Sequence, residues 1–193
     1  MSAPCISTAL DSAINGTCTS QTIGIEKEAI LIPMSLIDKS TLAYDSGTVI
    51  VNTFELLSGN GVKVTVNGDM PFKEFKIDGS MGDYVQLFET AFGFPILDNS
   101  PAASKQIMQL GNDRYVAIVT FVGYEAAKKN KYGIIGLNRG LVFETSATAY
   151  DNAENPGTQI MLKETAGRVH LHYLWASAGE AATDAIVAGL LPA

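Results

Sequence analysis

Short apolar runs separated by turn-forming clusters set the pattern of this chain. Glu26 to Pro33 starts polar, becomes apolar and stops at its proline, which predicts a strand. Thr48 to Leu57 is rich in Val, Ile, Thr and Phe, side chains that suit a pleated surface, and ends at the turn Ser58-Gly59-Asn60-Gly61. Val62 to Val66 alternates strictly, with Val62, Val64 and Val66 on one face. Asn67-Gly68 follows, a dipeptide suited to the positive φ of a hairpin turn. Phe72 to Asp78 is apolar at 72, 75 and 77 and reads as a strand of mixed period.

Tyr84 to Leu97 fits two templates. As a helix, Met81, Tyr84, Phe88 and Phe92 fall near one stripe; as a strand, Tyr84, Phe88, Phe92, Phe94 and Ile96 share a face. The aromatics, Gly93 and Pro95 favour the strand. Pro101 to Leu110 predicts a helix, with Ser100 as N-cap, Pro101 in the first position and Gly111 to close it. Ala103, Ile107 and Leu110 make a narrow apolar stripe that can lie on a sheet. Further strands are expected at Tyr115 to Tyr124 (fully buried), Tyr132 to Leu137, Leu141 to Thr148, Thr158 to Glu164 and Val169 to Trp175. Asn155-Pro156-Gly157 turns the loop between the third and fourth of these. Eight or more strands and one helix predict a mainly β fold, a sandwich or barrel with one flanking helix at about residues 101–110.

Composition narrows the class. The 193 residues are 47% hydrophobic and 17% charged, which excludes intrinsic disorder and fits a single core-forming domain. The organisation expected is an N-terminal arm at 1–25, a β-rich domain at 26–175 and a small-residue arm at 176–193. Asp11 is the one charge in the first 25 residues, and no Lys or Arg follows Arg168. Such neutral ends suit docking on the parent domain or on a neighbouring subunit, against simple fraying. Thirteen basic against 20 acidic residues give a net charge of −7, which argues against broad binding of nucleic-acid phosphates. No apolar run approaches the roughly 20 residues of a membrane span, so no membrane partner is expected. Met1 to Ser20 lacks the basic and apolar regions of a signal peptide. Cys5 and Cys18 are too few for a disulfide scaffold; they either pair once or serve as small hydrophobes.

Candidate chemistry is sparse. His170 and His172 fall on one face of a strand and could hold a metal, but no acidic residue or Cys stands beside them, which favours ordinary packing. There is no Gly-x-Ser-x-Gly nucleophile motif. Gly133, Gly136 and Gly140 match neither a dinucleotide fingerprint nor a phosphate loop, and read as relief of crowding or bends. Lys128, Lys129 and Lys131 read as a solvated hairpin tip before a phosphate site. Asn15-Gly16-Thr17 matches a glycosylation acceptor, which carries no weight without a secretion signal. The expectation is a protein that is not an enzyme, with no cofactor and no metal.

The order of features resembles the tail tube (major tail) proteins of long-tailed bacteriophages, of the type found in phages of gut Bacteroidetes. The similarity runs from Gly24 to Trp175. It is carried by Gly24-Ile25-Glu26 opening the first strand and by the helix Ala103 to Leu110 feeding Arg114-Tyr115-Val116-Ala117-Ile118-Val119. Tyr132-Gly133-Ile134-Ile135-Gly136-Leu137-Asn138-Arg139-Gly140-Leu141 and Asp151 to Gly157 before the final strands complete it. The Ala-rich C-terminal arm departs from that pattern.

The resemblance implies a β-sandwich or barrel whose copies, six to a ring, stack so that inner strands line a channel. The partners implied are further copies of the chain, other tail proteins such as a terminator, tape measure or sheath, and genomic DNA passing without specific binding. The location implied is the virion tail, after assembly in the host cytoplasm. Ring closure would remove exposed sheet edges, and an acidic wall would let DNA slide. Acidic residues are therefore expected to outnumber basic ones on the lumen face. The region Thr48 to Val66 is the expected ring-to-ring contact, through Val49, Val51, Phe54, Val62, Val64 and Val66. Two other classes stay open. One is a head–tail connector, ring or capsid decoration protein; the other is a monomeric β-barrel that binds a ligand or carbohydrate through its tyrosines and Trp175.

Overall fold

A computed structural model describes residues 24–66, 72, 74–83, 85–149 and 157–192. The chain up to residue 23, with Cys5, Asn15 and Cys18, lies outside the described residues, as do Asn67-Gly68, Tyr84 and Asn155-Pro156. Among the described residues the order is β1 (Ile25–Pro33), β2 (Ala43–Tyr44), β3 (Ile50–Thr53), β4 (Val62–Thr65), β5 (Glu74–Met81), β6 (Gln86–Ile96) and α1 (Pro101–Leu110). There follow β7 (Tyr115–Phe121), β8 (Tyr132–Ile135), β9 (Val142–Ala149), β10 (Gly157–Gly167), β11 (His172–Leu174) and α2 (Glu180–Gly189).

The strands form two open sheets. One has seven strands in the order β2-β3-β11-β8-β7-β1-β4; the other has four, β5-β6-β10-β9. Every pairing is antiparallel except β11 on β3. Among the described residues neither sheet closes on itself, so the barrel alternative gives way to two facing sheets.

Ala29 and Leu31 of β1, Ala117 and Val119 of β7 and Ile135 of β8 meet Phe92, Phe94, Ile160 and Leu162 of the four-stranded sheet in one core. On the other side of the large sheet, Ile30, Ile32, Val116, Ile118 and Ile134 join Ile37, Val51, Phe54, Leu174 and Leu190 in a second core. Sheet faces covered on both sides explain why β1 and β7 read as nearly continuous apolar runs. The four-stranded sheet has one covered face, so β10 alternates instead.

The Tyr84 to Leu97 segment is β6, an interior strand paired to both β5 and β10. The segment Thr48 to Leu57 is strand only at Ile50–Thr53. Beyond it the chain pairs locally instead: Leu57 N–H donates to the Leu36 carbonyl at 2.8 Å and Asp38 N–H to the Glu55 carbonyl at 3.0 Å. Val169 to Trp175 likewise shortens to three strand residues, with Trp175 N–H donating to Val51 at 3.0 Å.

α1 starts at Ser100, whose Oγ accepts from Ala103 N–H at 3.2 Å, with Pro101 next. Gly111 ends it at φ −77°, so no left-handed residue is needed there. Ala103 is buried, and Ile107 and Leu110 pack on the inter-sheet core.

The C-terminal segment adds a second helix that the expectation of one helix missed. α2 and the two residues after it lay Ile186, Val187, Leu190 and Leu191 on the second core of their own chain. Thr183, fully buried, donates to the Gly179 carbonyl and accepts from Ala176 N–H, both at 2.9 Å. The result is three layers: small sheet, large sheet, and α2 with the segment around residues 34–57.

Candidate functional site

One face of the four-stranded sheet belongs to the core, and among the described residues its opposite face is open. Strand register puts Lys76, Ala91 and Lys163 side by side there, with Asp78 beside Glu89. Lys163 Nζ lies 2.6 Å from Glu89 and 3.4 Å from Glu144, and Lys76 lies 2.7 Å from Asp78. Glu74 completes a shallow depression of about 140 Å³ that holds four carboxylates against two ammonium groups. The hydrogen bond and charge of Asp78 raise Lys76, and those of Glu89 raise Lys163, so both stay protonated. Among the described residues, β5 and β9 have no strand on their outer sides. This sheet therefore offers two unpaired backbone edges and a polar, net acidic face.

The second feature lies at an edge of the large sheet. β4 pairs only with β1 among the described residues. Beside it runs a groove of about 760 Å³ between β4, the end of β6 and α1. Val62, Val64, Val66, Phe94, Ile96 and Leu110 give it an apolar lining. The three valines share a face as their spacing predicts, but burial is graded along it: Val62 is 58% exposed, Val64 half-buried and Val66 buried in the inter-sheet core. The other three residues expected at a subunit contact are placed differently. Val51 and Phe54 are inside the second core, and Val49 is half-buried with its carbonyl accepting from Tyr173 N–H.

No family model, no curated protein and no solved structure matches the chain.

The remaining sequence candidates resolve into packing. His170 and His172 do not converge: His170 is exposed against Phe88, whereas His172 is buried beside Tyr44. Burial pushes His172 down to about 4, and the nearby Val49 carbonyl offsets this only in part. Its ring is neutral and lacks a well-formed hydrogen bond at either nitrogen. Among the described residues no three His, Cys, Asp or Glu are grouped to hold a metal. Gly133 relieves crowding, since a Cβ there would lie 2.7 Å from the Phe121 ring. Gly136 has φ +80° and would bring a Cβ within 2.6 Å of the Tyr115 carbonyl.

The lysine tip is an ion-paired clamp. Lys128 meets Glu125, Lys129 meets Asp45, and Lys131 reaches Glu180 at 2.9 Å and Asp184 at 2.8 Å on α2. Burial alone would lower Lys131; its hydrogen bonds to Asp184 and Glu180 outweigh that and raise it. Tyr132 also donates to Asp184 at 2.8 Å, and burial followed by that bond lifts its hydroxyl to about 12. No composition argument pointed to this use, because α2 itself was not expected. Trp175 is buried, and Tyr115 is the tyrosine in the apolar groove.

Proposed function

We propose that this chain is a virion structural protein, the tube protein of a long-tailed phage, whose copies close into rings and stack around the passing genome. The observation that supports this most is the four-stranded sheet. It has two open edges of opposite sides, so copies can join edge to edge around a ring. Its outer face carries an excess of carboxylates, which suits a wall along which DNA slides without being held. The net charge of −7 acts in the same sense.

In this reading six copies make a ring and the four-stranded sheets face the lumen. The exposed Val62 edge and its groove contact the next ring. The other partners are tail proteins such as a terminator, tape measure or sheath. The protein works in the virion tail and is assembled in the host cytoplasm.

Negative-stain electron microscopy of concentrated protein, with light-scattering mass, tests it. Hollow tubes or six-fold rings are expected. Trimers, dodecamers or other closed rings without tubes favour a connector or decoration protein. A 20.5 kDa monomer at every concentration and salt overturns the assembly reading. The groove, at about 760 Å³, is of a size used for small ligands, so a monomer would be screened for ligand-dependent thermal stabilisation.

A further inference from the structure

Most lysines of this acidic chain are neutralised by a carboxylate. Lys63, Lys76, Lys128, Lys129, Lys131 and Lys163 all sit in ion pairs. Among the described residues the cations outside such pairs are Lys27, Lys39, Lys105, Arg114, Arg139 and Arg168. Half of these converge: Lys39, Arg139 and Arg168 line one pocket of about 340 Å³, with no Asp or Glu among the described residues of its lining. Three like charges at one concavity repel each other, and an acidic chain has carboxylates to spare for them.

The pocket is held by its backbone, and among the described residues none of its three cations forms an ion pair, although the Arg139 charge also acts on Glu164 behind the turn. Arg139 is fixed at both ends of its peptide: its N–H donates to the Glu164 carboxylate at 2.7 Å, and its carbonyl accepts from Arg114 Nη1 at 2.9 Å. Arg139 as a residue is exposed. Glu164, 4% exposed, is engaged behind the turn by the backbone of Arg139 and Gly136 and by the charge of Arg139. Arg168 follows Ala166, held at φ +56° where β10 breaks register with β6. Beside Lys39, the Asp38 carboxylate is turned onto Ser40, at 2.9 Å from its N–H and 2.6 Å from its Oγ. Asn138 and the half-buried Tyr44 add polar groups, and Ile37, Leu42 and Leu137 form an apolar wall.

We propose that this pocket binds a small organic anion, a phosphate or carboxylate group joined to an apolar body. The oxygens would take the fork of Arg139 and Arg168 with Lys39, since guanidinium donors match such groups two at a time. The apolar body would lie on the Ile37, Leu42 and Leu137 wall. The volume is at the small end of the range for ligand sites. The proposal goes beyond the assembly reading and does not depend on it.

Isothermal titration calorimetry at low salt, on the protein in whatever oligomeric state it holds, tests this with four probes. These are phenyl phosphate, benzoate, inorganic phosphate and neutral benzyl alcohol. Saturable binding of one aromatic anion is expected, tighter than inorganic phosphate, weakening with salt, and absent for benzyl alcohol. Which of phenyl phosphate and benzoate binds tighter assigns the head group. Arg139→Ala with Arg168→Ala should weaken it at least about tenfold, and Lys39→Ala by less. Circular dichroism of each variant keeps folding separate, because the bonds at Arg139 are made by its backbone. Absence of saturable binding by either aromatic anion, or equal binding by the double variant, overturns the proposal.

Discussion

The carboxylate of Glu164 accepts the backbone N–H of Arg139 at 2.7 Å, joining a strand of the small sheet to the turn that leaves β8 of the large one. Glu164 is 4% exposed in the layer between the sheets, so this contact links them where most others are apolar. Side-chain and backbone groups thus fix the relative position of the two layers at that end.

Burial raises Glu164 above the ordinary carboxyl value, partly offset by the N–H groups of Arg139 and Gly136. The folded state then holds the proton more tightly than the unfolded one, so this group lowers stability as pH rises through its folded value. Glu164→Gln keeps an acceptor and should flatten that part of the profile in denaturant titrations across pH. Glu164→Ala leaves two N–H groups unpaired and should lose on the order of 2 kcal/mol or more. Equal stability of the alanine variant would refute the linking role.

Lys131 clamps α2, and the affected carboxylates respond in acid. The bonds from Tyr124 and then Lys131 lower Glu180; those from Lys131 and Tyr132 lower Asp184 despite burial. Lowered values contribute stability that is present above the unfolded carboxyl value and lost as pH falls through the folded one. Amide exchange in α2 should therefore accelerate in acid before that of β7. Lys131→Met should reproduce the effect at neutral pH, at a cost on the order of 1 kcal/mol. Unchanged α2 protection would count against the clamp.

His172 acts over a different window. Its folded value of about 4 lies below the unfolded value of 6.5, so the unfolded chain binds the proton first and stability falls with pH between the two. The loss is at most about 3 kcal/mol. His172→Leu should remove it and be nearly neutral at pH 7, since the ring nitrogens are unsatisfied there. An identical slope between pH 6.5 and 4 in the variant would show that other groups carry it.

Under the proposed ring assembly, Val62 distinguishes folding from stacking. At 58% exposed on an edge strand, it can become Glu with a stability change within about 0.5 kcal/mol. Charge at the groove should still abolish stacking of rings into tubes, seen by electron microscopy beside wild type. Tubes of normal length from Val62→Glu would remove this edge from the contact.

Periodicity carried much of the fold because burial of one or two faces leaves a direct mark on composition. β1, β4, β7 and α1 lie close to where their patterns place them. What periodicity cannot encode is which strand neighbours which, so the shortness of β3 went unseen: residues 55–57, beyond its end at Thr53, pair with residues 36–38. Val51 and Phe54 have strand-like spacing, but only the second core explains their burial. α2 was illegible for another reason. Its Ala-rich end, with no Lys or Arg, looks like a passive tail, although alanine is also the strongest helix former. The cationic pocket escaped because Lys39, Arg139 and Arg168 stand far apart in sequence.

β11 is wedged between β3 and β8, although more than a hundred residues of chain separate it from β3. On a translating ribosome, β2 and β3 emerge long before the strand that ties them to the rest of their sheet. Until residue 174 is made, Val51 and Phe54 have no Leu174 to cover them. Completion of this sheet therefore waits for β11, and chains that have not reached it display sticky surface that chaperones would have to shield. The same delay protects any ordered assembly, because an incomplete chain cannot present a finished subunit.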